Sequence, residues 1–426
     1  MSEIQVEPPK DDLDQLSIER KPEKGRLDWI DAARGFVILF LIATISFPGD
    51  SGLNLNIPFI YGIFNHSNVA GQITLYDIGA PAFIFLLGFT MPISYRKRKE
   101  EKGTGSAIRY ILVRYFILLV LGFVAANIEL EFLKYYSINL GTRFTYEGVG
   151  TIPISHRPVL FIIPWDVIFS IAASGLVGFI FMGVRNPRYR FFLGYGWLIL
   201  YQVGLSSTVL EIYALQSVHG GIFGSIFGYG SIAIIATAMG DYLFFSDVFE
   251  AKKFQNLLIF GIANLVVVVL FFIEIRDRQL QSLIDAFPTY RKTVSLLYVM
   301  AAIGVSCSVL WVFYQINTRF KKNMTWLRIF GMNAFMLYFL AELPDTLFET
   351  IMGDVLEMDI TWWLSLIWGI LVLGYCTYVA WYLYKKNRRI STIKSGLIFL
   401  ATIVGILLII IILELTIGLG LLGIFK

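Results

Sequence analysis

Charge is scarce in this chain. Of 426 residues only 15% are Asp, Glu, Lys or Arg, against about a quarter in a soluble globular protein. Histidine is rarer, three in all, and cysteine rarer still, two. Cys307 and Cys376 both fall inside apolar runs, which excludes a disulfide framework and a cysteine-based metal site, and no metal is expected. The net charge of +4 reflects basic loops and gives no ground for a nucleic-acid partner. No internal repeat stands out, so the paired broken helices of an inverted-repeat transporter are not visible. Residues 1–25, with "PPKDDLDQ", lack any apolar core; they read as a disordered cytoplasmic tail and not as a signal peptide.

What the chain has in quantity is grease. Hydrophobic residues make up 57% and the mean hydropathy is +0.69. Apolar runs close to the roughly 20 residues that cross a bilayer fall at 30–48, 73–95, 107–127, 158–182, 191–210, 220–245, 255–275, 294–314, 324–341, 360–384 and 395–424. Lipid offers a bare backbone no hydrogen bonds, so such runs must be helices or closed barrel strands. These are too long and too continuous for alternating strands. The expectation is an all-α, polytopic membrane bundle of about 11 helices, with a main domain over 26–393 and one added helix in 394–426.

Basic residues set the expected orientation. They crowd loops 96–106 (Arg96, Lys97, Arg98, Lys99, Lys102) and 385–394, and recur near 185–190, 252–253 and 319–322. Loops 49–72, 211–219 and 342–359 have no Lys or Arg. This places the N-terminus in the cytoplasm, with the plasma membrane as the expected location. The loop 276–292, with Arg276, Arg278, Arg291 and Lys292, is an outer exception that also carries acids.

Ionisable groups inside a membrane are costly and point to function. They are Asp31, Arg34, Asp77, Arg109, Arg114, Asp166, Asp241, Glu342 and Glu414. Asp31 and Arg34 share a helix face: they form a local ion pair, or Arg34 meets an anion from the cytoplasm. Arg109 and Arg114 anchor the third helix by their charge or join Arg34 in binding. His66, His156 and His219 all fall on the outer side; a lone loop histidine is ordinarily a solvated residue, and His156 and His219 are read so. Asp77 lies eleven residues past His66, about 16 Å along a straight helix, so the two meet only if 66–72 folds back. Pro81, four residues after Asp77, removes a backbone hydrogen bond and is expected to kink the helix. Asp77 then lines a cavity, or it caps the second helix. The glycines Gly418, Gly420 and Gly423 allow close helix approach, within the monomer or in a homodimer.

"RLDWIDAARGFVI" resembles the Asp-x-x-Arg-Gly opening of the transmembrane acyltransferases related to heparan-alpha-glucosaminide N-acetyltransferase. The segment holding His66, Gly71, Thr74, Asp77, Pro81, Gly88 and Ser94 is similar to that family's next motif. Arg114 and Gly122 resemble its arginine-led third helix, and "FGMNAFMLYFLAE" its Gly-Met-Asn…Tyr…Glu segment. The closing "WYLYKKNRRI" is similar to its aromatic-basic end, so the resemblance spans Arg26 to Ile393. Departures include Ile45, flanked by Thr44 and Ser46, where the family's lysosomal member has an asparagine, and Ala341, where the family sometimes has a histidine.

The resemblance implies transfer of an acetyl or other acyl group from cytoplasmic acyl-CoA (acetyl-CoA) to an acceptor across the bilayer, a sugar or glycan. It implies His66 as the catalytic histidine. Asp77 stands with it, and Asn333 or Tyr338 is a candidate donor to the developing oxyanion. Arg34, Arg109 and Arg114 would meet the coenzyme's phosphates. Arg34 and His66 are then about a bilayer apart, roughly 30 Å, a span an extended coenzyme A can cover. The competing readings are a transporter whose Asp77, Asp166, Asp241 and Glu342 line a path, and an inactive relative.

Overall fold

The computed structural model describes residues 28–46, 73–128, 144–146, 150–152, 167–206, 210, 214, 219–278, 293–320, 324–349, 362–386 and 401. His66, His156, Asp166, Glu414, residues 1–25 and nearly all of 394–426 lie outside them. The order is α1 (Asp28–Ser46), α2 (Leu75–Ile128), a hairpin of β1 (Phe144–Tyr146) and β2 (Gly150–Ile152), α3 (Val167–Phe181) and α4 (Pro187–Leu205). Then follow α5 (Gly221–Phe245), α6 (Glu250–Arg278), α7 (Leu296–Arg319), α8 (Thr325–Met332), α9 (Ala334–Glu349) and α10 (Trp362–Lys385). The hairpin is antiparallel, with Thr145 opposite Thr151. Among the described residues six helices are long and apolar enough to cross a membrane. The fold is an all-α, multi-pass membrane bundle.

Six is fewer than the eleven runs of the sequence, for identifiable reasons. The runs at 73–95 and 107–127 are two helical arms that meet across a kink at Gly103 (φ 81, ψ 165) and are taken together as α2. The left-handed half of backbone space suits glycine, and the kink comes directly after Lys102, the last basic residue of that loop. Of the run at 158–182 the described residues hold the 15-residue α3, and the run at 395–424 lies almost wholly outside them. The run at 324–341 breaks at Asn333 into α8 and α9. At Pro81 the backbone keeps helical angles.

α5 is the centre. From Tyr229 to Asp241 every side chain is buried, against α2, α3 and α4. α1 lies against α8, and the two backbones touch. A β-carbon on Gly35 would coincide with the Leu327 carbonyl oxygen, and one on Gly331 with the Asp31 carbonyl oxygen. Helix association in lipid relies on such small-residue contacts, because lipid removes the hydrophobic drive. α6 and α10 are peripheral. Ile259, Ile262, Val266, Val269 and Leu270 of α6 are exposed, as are Trp363, Tyr375, Tyr378, Trp381 and Tyr382 of α10. The Lys385 ammonium sits 5.0 Å over the Trp381 ring. These are faces suited to acyl chains and headgroups.

The basic loops gather at one end. Arg328 pairs with Asp28 at 2.7 Å. Trp29 meets Phe254 and Tyr314 edge-on. Lys253, buried, donates to the carbonyls of Leu243 and Ser246 at 3.1 and 2.5 Å, satisfying the C-terminal end of α5 as a cation should. At this end Asp241 is shared between Arg96, at 2.7 Å, and Arg190. The opposite end joins the starts of α2, α5 and α7 and the end of α4: Tyr201 donates to the Thr293 carbonyl at 2.6 Å, and the Leu296 N–H donates to Gln202 at 2.8 Å.

Candidate functional site

Two polar clusters stand at the two ends. At the basic end Arg34 reaches from α1 to α2. Its Nη2 donates to the Thr90 hydroxyl at 3.1 Å, and its Nη1 lies 3.4 Å from Asp31. Thr90 can accept because its own proton goes back to the Leu86 carbonyl at 3.0 Å. The ion-pair reading of Asp31 and Arg34 therefore describes this structure, with a threonine added from the next helix. The Gly35–Gly331 contact puts the Asp-x-x-Arg-Gly and Gly-Met-Asn segments face to face. Two residues on, the buried Asn333 occupies the break between α8 and α9 (φ −128, ψ 35). Its carbonyl accepts the Leu337 N–H at 3.1 Å and starts α9. Tyr115, buried on the second arm of α2, lies within the electrostatic reach of both Arg34 and Arg114. Arg114 is half-buried and Arg109 is exposed. Tyr338 is buried one turn and more beyond Asn333.

Asp77 belongs to the other end. Thr90 is thirteen residues further along α2, about 20 Å at 1.5 Å per residue. The Asp77 carboxylate accepts the Thr74 N–H and the Thr74 hydroxyl, both at 2.9 Å, and the Asp77 N–H points back to that hydroxyl at 3.4 Å. This is a reciprocal capping box, with a carboxylate at the positive end of the helix dipole. Of the two readings open in the sequence, the cap is the one seen. Asp77→Ala is expected to cost about 0.5–2 kcal/mol of stability, read as a lowered thermal midpoint in detergent; an unchanged midpoint would remove the cap from the account.

Pro81 has a consequence other than a kink. It has no N–H to give the Asp77 carbonyl four residues earlier. The Tyr298 hydroxyl of α7 fills that vacancy at 2.5 Å. Tyr298 lies 3.4 Å from the Tyr229 hydroxyl, and Tyr229 lies 3.2 Å from Nδ1 of His219. His219, read from the sequence as solvated, is buried. The signal available in the sequence was Pro81, which requires some donor for Asp77; nothing in the sequence named Tyr298. Asp241 was legible as an intramembrane acid, but its partners Arg96 and Arg190 were not. Thr44, beside the departure at Ile45, turns its hydroxyl back onto the Leu41 carbonyl at 2.8 Å.

Among the described residues no group of three or more His, Cys, Asp or Glu could hold a metal ion. No protein-family model matches the chain, and a search of curated proteins gives no match.

Proposed function

We propose that this chain is a membrane acyltransferase, moving an acetyl or other acyl group from cytoplasmic acyl-CoA to a sugar or other acceptor on the far side. The observation that carries the reading is Arg34. It is a guanidinium held between α1 and α2 on the basic side of the bundle, beside the backbone contact that joins Gly35 to Gly331. A cation there suits the phosphates of a coenzyme entering from the basic, cytoplasmic side. Arg114 adds charge nearby, and the exposed Arg109 adds it at the surface. In this reading His66 acts on the acceptor, the N-terminus is cytoplasmic, and the enzyme resides in the plasma membrane.

The test is acyl-CoA affinity and label transfer in purified protein. Arg34→Ala is expected to weaken acyl-CoA binding by about tenfold or more, as loss of a charged hydrogen bond does. Unchanged affinity in Arg34→Ala, Arg109→Ala and Arg114→Ala alike would end the proposal. Radiolabel from acetyl-CoA should reach amino or hydroxyl sugars in the wild type and fail in His66→Ala. The break at the buried Asn333 favours a second reading, a transporter, since discontinuous helices line transport sites. Absence of both coenzyme binding and label transfer would favour it.

A further inference from the structure

α4 turns one apolar face outward. Tyr189, Leu193, Gly196, Leu200 and Val203 follow one another at spacings of four and three, so they form a single stripe along the helix, and all five are exposed. The flanks of the stripe are occupied. On one side Trp197 meets Phe181 of α3 edge-on and stacks on Phe227 of α5. On the other Phe191 meets Phe260 of α6, and Tyr195 donates to Asn264 of α6 at 2.8 Å. Midway along, Gly196 has no side chain, and a β-carbon there would meet nothing within 4 Å. The stripe is therefore notched between Leu193 and Leu200.

The head of the stripe carries charge of one sign. Arg185 and Arg188, both exposed, flank Pro187 at the start of α4. The chain has no Asp or Glu between Asp166 and Glu211. Asp241, the acid that reaches this turn from α5, is already shared by Arg190 and Arg96. Even so, Nε and Nη1 of Arg190 have no hydrogen-bond partner among the described residues. Asp247 and Glu250, past the end of α5, lie within the electrostatic reach of Lys253. Among the described residues the Arg185 and Arg188 guanidinium groups form no ion pair. The start of a helix is the positive end of its dipole and ordinarily attracts acids; the first turn of α4 has none.

We infer that α4 binds an anionic phospholipid from the leaflet at the basic end of the bundle. The headgroup phosphate meets Arg185 and Arg188, and an acyl chain lies along the stripe and seats at Gly196. Unopposed cations directly above an exposed apolar face complement this one molecule in both charge and polarity. Tyr189 stands where they meet, at the headgroup level that tyrosine favours. Gly196 is eight residues past Arg188, about 12 Å at 1.5 Å per residue, which is within the roughly 15 Å of half a hydrocarbon core. One chain of the same leaflet reaches it. A twofold-related copy of the protein suits the face poorly, because it would bring the same arginines against these, like charge on like. The site is separate from Arg34 and holds whether or not the chain transfers acyl groups.

The test is lipid binding to the full-length protein in detergent, titrated with phosphatidylglycerol or phosphatidylcholine of identical chains and read by intact-complex mass spectrometry. Phosphatidylglycerol should bind in preference. Arg185→Gln and Arg188→Gln should each weaken it by about fivefold, as loss of one cation near a lipid surface does. Arg185→Lys with Arg188→Lys keeps the charge and should keep most of the preference; losing it there as well overturns the proposal. Lys385→Gln with Lys386→Gln removes two exposed cations from the same end of the bundle and should leave the affinity within about twofold, since these lie a Debye length or more from the phosphate. Equal losses in the two glutamine pairs would mean a diffuse basic surface and no site. Gly196→Phe fills the notch and should weaken both lipids while leaving the preference between them intact; unchanged binding overturns the seat of the chain. Glycerol phosphate, a headgroup without chains, should fail to displace the lipid at equal concentration; displacement would make this a site for a free anion and overturn the proposal.

Discussion

Asp241→Ala is expected to lower stability by about 3–5 kcal/mol, the cost of leaving a buried charge without its partner. The carboxylate is the shared anion of Arg96 and Arg190. The Arg190 side chain is 1% exposed, and among the described residues its Nε and Nη1 already lack hydrogen-bond partners. Removing Asp241 leaves Arg190 no bonded acceptor among the described residues. Arg96→Ala should be far milder, about 0–1 kcal/mol, because that side chain is 43% exposed. Exchanging Asp241 and Arg190 together for apolar residues of similar size should recover most of the loss, since a buried ion pair is seldom worth more than good packing. Cys307 and Cys376 are free and buried, so a thiol-reactive fluorophore reports unfolding directly. Equal midpoints for Asp241→Ala and Arg96→Ala would refute the argument.

Gly331→Val should be worse still. Overpacking in a core ordinarily costs about 1–3 kcal/mol because side chains shift to make room. Here the obstacle is the Asp31 carbonyl in the backbone of α1, which cannot turn aside as a rotamer does. The two helices must part, and α1 carries the Arg34–Asp31 pair and its link to Thr90 out of place with it. The expected outcome is loss of monodisperse protein on gel filtration, and Gly35→Val should match it. Gly196→Ala is the control. A β-carbon there meets nothing within 4 Å, and alanine should raise stability by about 1 kcal/mol through helix propensity alone. A well-behaved Gly331→Val protein would show that the α1–α8 contact is looser than described.

Composition and run length alone made the membrane bundle legible, because lipid leaves a chain few architectures. The number of spans was not legible to the same degree. Hydropathy cannot see that the two runs flanking Gly103 follow each other directly across a kink, or that Asn333 divides one run in two. Arg34 with Asp31 followed from helical spacing, whereas Thr90 depends on which helices are neighbours. Pro81 illustrates the same limit. The sequence announces a missing hydrogen bond at Asp77, and α7, more than two hundred residues away, supplies it. His219 was misread because a loop histidine looks solvated until the strands of packing around it are known.

The exposed rings of α10 and the cation over Trp381 act as a float line. Tryptophan and tyrosine settle at the level of the lipid headgroups, so they resist vertical sliding of the whole molecule. In a thinner bilayer the protein should therefore tilt, or pinch the surrounding lipid, before it slides.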